Sequence, residues 1–327
     1  MSFSPPIVLI VALLAGLGLL AGCAAALDAR ATARETQWEA RNPPVGRMLT
    51  VEGRQVHLVE AGRAPGTAPD LVLIHGANSN VRDFTFDLIT RLEADYRIIA
   101  IDRPGLGWSD SWGEADSDPR VQARILQQVV AQLGVSRPIV LGHSYGGAVA
   151  MAWALEAPDD TAAVVLVGGA TYPWQGRLGF WYRFNEGPFG PAGRLLLTAL
   201  VPESAAQAVF ETIFVPHPVP DGYIAHFGTG LSMRRSSQAA NNRQINALSG
   251  YLGQMAPEYG TLTLPLEVVH GDADTIVGLE IHSQRLVDNV ASARLTRLVG
   301  GGHMPHHSHP AEVVAAIDRA RRRAGLE

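Results

Sequence analysis

Six short apolar runs recur along the chain, at Leu71–Ile74, Arg97–Ile101, Ile139–Leu141, Ala163–Val167, Leu266–Val269 and Arg294–Leu298, separated by longer stretches of helical character. A brief, nearly continuous apolar run bounded by turn residues is the pattern of a strand buried on both faces. Strands that alternate with helices predict an α/β fold: a mostly parallel central sheet with helices packed on both faces. Two earlier runs, Met48–Val51 and Gln55–Glu60, flank Glu52-Gly53-Arg54 and predict a hairpin ahead of that sheet. Ligands in such folds bind beyond the carboxyl ends of the strands, so the residues that follow each run are the first candidates for chemistry.

One interval breaks the rhythm. Between Val167 and Leu266 there is no comparable pair of strands, and the stretch is too long for a simple strand-to-helix connection. It predicts an inserted helical cap over about 171–259. Its aromatics Tyr172, Trp174, Phe180, Trp181, Tyr182, Phe184 and Phe189 are expected either to line an apolar pocket or to pack the cap on the core. Arg234-Arg235 reads as a solvated helix face, with an anionic substrate group as the alternative. Pro310 to Arg323 predicts a closing amphipathic helix with Val313, Val314 and Ile317 on its apolar face.

The N-terminus has a different pattern. Residues 1–27 contain a charge-free run, Ile7–Leu27, long enough to span a bilayer. Leu20-Ala21-Gly22-Cys23 resembles a bacterial lipobox, in which Cys23 would be lipidated after cleavage. No basic residue precedes the run, as a signal peptide would normally have, and Arg30, Arg34, Arg41 and Arg47 follow it. Membrane association is therefore expected, either lipid-anchored at Cys23 or through a single-pass anchor. Residues 28–45, polar and closed by Pro43-Pro44, read as a linker to a body at 46–327.

Composition narrows the classes. Apolar residues form 47% of the 327 positions and charged residues 17%, which suits a buried core and argues against disorder. A net charge of -5 and the lack of a basic run in the body give no case for nucleic acid. Cys23 is the sole cysteine, which excludes an internal disulfide and a thiolate metal cluster.

Three strand ends carry the chemistry. Gly142-His143-Ser144-Tyr145-Gly146 fits G-x-S-x-G directly after a strand and ahead of a helical run, the setting of a sharp turn that exposes a serine hydroxyl. A hydroxyl needs a base to remove its proton, and His303, in Gly300-Gly301-Gly302-His303 after the last run, is the candidate. Asp274 or Asp272, after the run at 266–269, would fix the tautomer of that base. The amides of Ala77, which follows His75-Gly76, and of Tyr145 are candidates for an oxyanion hole, while His75 itself reads as structural. His306, His307 and His309 share the loop of His303; with no helix or second carboxylate cluster in support, they read as solvated histidines and no metal is expected.

From about Gly46 to the C-terminus these motifs resemble the α/β-hydrolase superfamily. His75-Gly76 resembles its oxyanion motif, and Asp102-Arg103-Pro104-Gly105-Leu106-Gly107-Trp108-Ser109 resembles the D-x-x-G-x-G-x-S loop of the branch with haloalkane dehalogenases, epoxide hydrolases and cofactor-free haloperoxidases. Gly271-x-x-Asp274 matches the usual acid position, which selects Asp274 over Asp272. The first two enzyme groups use an aspartate where this chain has Ser144, so their carboxylate-ester route is not open here. The resemblance implies a serine hydrolase with Ser144, Asp274 and His303 as triad, no cofactor, and a small apolar ester, thioester or lactone as substrate. The alternatives are perhydrolase or C–C bond hydrolase chemistry on the same residues, or a membrane-tethered protein that only binds its ligand.

Overall fold

A computed structural model describes residues 5–326. Eight strands form one sheet: β1 (Arg47–Val51), β2 (Arg54–Gly62), β3 (Asp70–Ile74), β4 (Arg97–Ile101), β5 (Ile139–His143), β6 (Ala163–Val167), β7 (Leu266–Gly271) and β8 (Ala293–Leu298). Their order is β1-β2-β4-β3-β5-β6-β7-β8. Only β1 and β2 run against their neighbours; from β4 to β8 every pairing is parallel.

The alternation of strand side chains divides the core in two. Val72, Ile74, Val140, Val164, Leu166 and Val268 pack on one face with the helices Pro119–Gln132 and Tyr145–Glu156. Leu71, Leu73, Ile139, Leu141, Val165 and Val269 pack on the other, against the closing helix Pro310–Arg323. Both faces are covered, so the strands read as continuous apolar runs. Glu267 is the acidic exception in β7: fully buried, it is paired with Arg319 at 2.9 Å and Arg323 at 2.7 Å from the closing helix.

Between β6 and β7 the chain carries six helices, among them Phe180–Glu186, Gly190–Leu200, Glu203–Phe214 and the long Arg235–Met255. They sit over the carboxyl ends of the parallel strands and roof the space there.

The N-terminal helix corrects the expected linker. It runs without interruption from Pro5 to Arg41, so residues 28–41 are helical. Ala31 and Trp38 are buried, and Gly230 in the cap lacks the Cβ that would lie 2.3 Å from Trp38 Cγ. Arg30 and Arg34 donate to the carbonyls of Ala199 and Val201 at 2.7 and 2.6 Å. Arg235 grips Glu35 and Asp28, while Arg234 pairs with Glu39 at 3.0 Å. Those two arginines are therefore clamps between this helix and the cap, not a solvated face. The apolar segment ahead of Asp28 has Leu13, Leu17 and Leu20 exposed, and its first four residues lie outside those described. Among the described residues no helix is long and apolar enough to cross a membrane.

Candidate active site

Because β3, β5, β6, β7 and β8 point the same way, the residues after them meet at one edge. Ser144 follows β5 at φ 52° and ψ -120°, a conformation rare outside glycine. Its neighbours permit the turn: a Cβ on Gly142 would sit 2.2 Å from the Gly146 carbonyl oxygen, and one on Gly146 would sit 2.1 Å from that of Ile74. Three backbone bonds hold the serine, from its N–H to Val167 and to its carbonyl from Gly147 and Ala170, all at 2.9–3.0 Å.

His303 lies in the loop after β8, with Nε2 3.0 Å from Ser144 Oγ and Nδ1 2.8 Å from Asp274 Oδ2. Asp274 is anchored in turn, since its Oδ1 accepts from the amides of Ile276 at 2.8 Å and Val277 at 2.9 Å. His270 Nε2 is 3.2 Å from the oxygen that faces His303. Burial alone would raise the Asp274 carboxyl, but the contacts with His270 and His303 prevail and hold it far below the ordinary range. It is an ionised acceptor, suited to hold an Nδ1–H. Asp272, the competitor, is exposed and braces the Gly300 amide at 2.7 Å and Arg297.

Ala77 and Tyr145 flank the serine. Tyr145 opens the helix Tyr145–Glu156, so its N–H has no acceptor within that helix. Gly76 passes so close that a Cβ there would be 3.1 Å from Ser144 Cβ, and Ala77, the next residue, lines the same cavity as Ser144. Arg103 fixes this loop: fully buried, it donates to the carbonyls of His75 and Gly76 at 2.9 Å each and lies over the Tyr145 ring at 4.1 Å.

Above Ser144 opens a cavity of about 520 Å³, a size suited to a small ligand. The cap supplies Leu197, Val201, Val209, Phe210 and Ile213 to its wall, and among the described residues no arginine lines it. The cap aromatics divide. Trp181 and Tyr182 face the cavity, Tyr172 packs edge-on against Tyr259 in the core, and Phe180 and Phe189 are exposed.

The expectation of solvated histidines is overturned for His306 and His307, whose side chains are almost wholly buried. Both bond a carboxylate that no motif marks, Asp83, at 3.2 and 2.8 Å. Tyr223 donates to the same carboxylate at 2.7 Å. Only the fold could have revealed this group, because Asp83, Tyr223 and the His306 loop come from distant parts of the chain.

A model of the alpha/beta hydrolase family matches residues 71–316. The chain belongs to that family. This alpha/beta hydrolase is similar over 262 residues, at 26% identity, to a 2-hydroxy-6-oxononadienedioate/2-hydroxy-6-oxononatrienedioate hydrolase of Klebsiella pneumoniae, with 78% of this chain and 86% of that protein covered. Its fold matches a Rhodococcus esterase with a TM-score of 0.64 at 25% identity, covering 84% of this chain and 98% of that one. A putative lipase of Acinetobacter baumannii shares the fold with a TM-score of 0.69 at 20% identity, covering 90% and 96%. The chain is thus a hydrolase enzyme.

Proposed function

We propose that this hydrolase cleaves an ester-type bond in a small apolar substrate through an acyl-enzyme on Ser144. The observation that carries the reading is the unbroken relay from Ser144 Oγ to His303 to Asp274, at 3.0 and 2.8 Å, beneath an apolar cavity. His303 Nε2 takes the serine proton as Oγ attacks the carbonyl carbon. The amides of Ala77 and Tyr145 hold the oxyanion, and His303 then gives the proton to the leaving alcohol or thiol. Water enters, gives a proton to His303, and displaces the acyl group by the same route. No organic cofactor has a step in this scheme.

A second reading is C–C bond hydrolysis, favoured by the name of the Klebsiella relative. That name describes a dioate, an acid with two carboxylates, whereas the cavity here has no arginine in its wall and has Asp83 in it. An uncharged acyl group suits this wall better.

The test is a fluorophosphonate probe on the full chain, followed by peptide mapping and an ester panel graded by acyl length. The reading expects label at Ser144, no label in Ser144→Ala, and turnover of short and medium esters. Folded protein that takes no label and cleaves no activated ester would leave the ligand-binding alternative in front.

We propose further that the N-terminal segment directs the enzyme to a membrane, where cleavage before Cys23 leaves a lipid on that cysteine. The support is the charge-free run from Ile7 to Leu27, its exposed leucines, and the sole, exposed thiol within that run. Mass spectrometry of the N-terminus of membrane-extracted protein decides it: a diacylglyceryl group on Cys23 is expected, and an intact Met1–Cys23 peptide would speak for an uncleaved anchor.

A further inference from the structure

Behind the Ser144 turn, the His143 ring is buried and its Nε2 lies 3.1 Å from the carbonyl oxygen of His303. A carbonyl only accepts, so Nε2 carries the hydrogen and Nδ1 of the neutral ring carries a lone pair. That Nδ1 is a buried atom with no hydrogen-bond partner, and it faces Asp83 Oδ2 at 3.8 Å. A lone pair that faces an anionic carboxylate oxygen is repelled by it, and a cation between the two removes the repulsion.

His306 completes the geometry. Its Nε2 lies 3.2 Å from the same Oδ2, and its ring is 4.4 Å from that of His143. One ligand atom from each of Asp83, His143 and His306 falls within 4.8 Å of the others. Ligands at about 2.0–2.1 Å around a tetrahedral zinc stand roughly 3.3 Å apart, close to the two separations to Asp83. The other carboxylate oxygen, Oδ1, is already taken by Tyr223 at 2.7 Å and His307 at 2.8 Å. Such outer hydrogen bonds orient a ligating carboxylate and leave its partner oxygen free to coordinate.

We propose that Asp83 Oδ2, His143 Nδ1 and His306 Nε2 form a binding site for one divalent transition-metal ion of the zinc type. Two imidazoles and a carboxylate are a donor set that suits zinc and its neighbours in the first row. As the ion takes Nε2, the one hydrogen of the neutral His306 ring moves to Nδ1 and the ring stays uncharged. A fourth position faces the cavity, because Asp83 and His143 both line it. The ion would pin the His143 ring and, through its Nε2–H, the backbone carbonyl of His303. The site does not rest on the esterase reading, and its readouts are independent of turnover.

Untagged full-length protein, stripped with chelator and titrated with Zn²⁺ at neutral pH, is expected to retain one equivalent through gel filtration and to melt at higher temperature. Co²⁺ in its place should give the strong visible absorption of a tetrahedral ion. Asp83→Asn and His306→Ala, with circular dichroism of the native protein, should lose the equivalent. Tyr223→Phe should bind about 10–100-fold more weakly. His309→Ala, which alters the pair of rings His309 makes with His217 at the surface side of the loop, should bind as the native chain does. Wild-type protein that holds no stoichiometric Zn²⁺ and shows no tetrahedral Co²⁺ spectrum overturns the proposal without any variant. So does an equivalent that survives His306→Ala and disappears in His309→Ala.

Discussion

Arg103 and His75 are joined by two bonds of equal length: the Arg103 amide donates to His75 Nε2 and its Nε donates to the His75 carbonyl, both at 2.9 Å. The same guanidinium reaches Gly76, Gln122 and Gln244, the last from the cap helix Arg235–Met255. One buried cation therefore ties the loop before Ala77 to the ring of Tyr145 and to the roof of the cavity. Lysine cannot repeat this planar fork. Arg103→Lys is expected to lower the unfolding free energy by about 3 kcal/mol and to lower kcat by up to about 10²-fold through displaced amides. KM should move far less. Equal kcat in the variant and the native enzyme would show that the loop does not need this anchor.

Ser144 is held at positive φ by the packing of Gly142 and Gly146, and the strain is stored in the native state. Ser144→Ala and Ser144→Gly should both abolish ester turnover, by several orders of magnitude. The glycine variant should be the more stable of the two by about 1 kcal/mol, because only glycine adopts this backbone freely. Denaturant midpoints for the pair check this directly. Alanine as the more stable variant would mean that the turn carries no strain at this residue.

The strands and the strand-end residues were legible because each is a local pattern: an apolar run closed by glycine, then a polar side chain. Asp274 could be chosen over Asp272 by motif spacing; in the fold Asp274 lies 2.8 Å from His303, and Asp272 is exposed. The docking of residues 28–41 was not legible. Its apolar contacts are sparse, chiefly Ala31 and Trp38, and its many arginines and glutamates read as solvated when their partners lie far away along the chain. The burial of His306 and His307 was hidden for the same reason, since a histidine shows no preference for burial until its acceptor is in place.

Two histidines make the fold sensitive to mild acid. His282 Nδ1 accepts from the amides of Thr171 and Tyr172 at 3.1 Å each, and His75 Nε2 accepts from Arg103. Burial lowers both to about 4, and the Arg103 charge adds to the effect at His75. A group whose pKa falls on folding contributes stability above its unfolded value, and that contribution is lost as pH drops below it. Each should thus withdraw on the order of 3 kcal/mol between pH 6.5 and about 4. Urea midpoints across that window should fall, and His282→Gln should flatten the slope, since an amide oxygen accepts without titrating. An unchanged slope in the variant would remove His282 from the account.

The N-terminal helix sets where the chain can be cut. Removal of residues 1–27 takes away the charge-free run and leaves Ala31, Glu35 and Trp38 on the cap, so a chain from Asp28 should keep the stability and activity of the whole. A chain from Pro43 loses Trp38 and strips the partners from Arg234 and Arg235. Arg234 is buried, and without Glu39 it keeps only neutral acceptors, including the carbonyls of Gly107 and Leu231. Trp38→Ala alone is expected to cost about 3–5 kcal/mol, the usual range for loss of a buried large aromatic. The cap should loosen first, because Gly230 loses the Trp38 ring beside it and the bonds of this helix run to the cap. Hydrogen exchange therefore distinguishes the cases: protection should fall in 190–235 in both Trp38→Ala and the chain from Pro43, with β3, β5 and β6 unchanged. Equal protection in the chains from Asp28 and from Pro43 would mean that residues 28–42 are not part of the folded body.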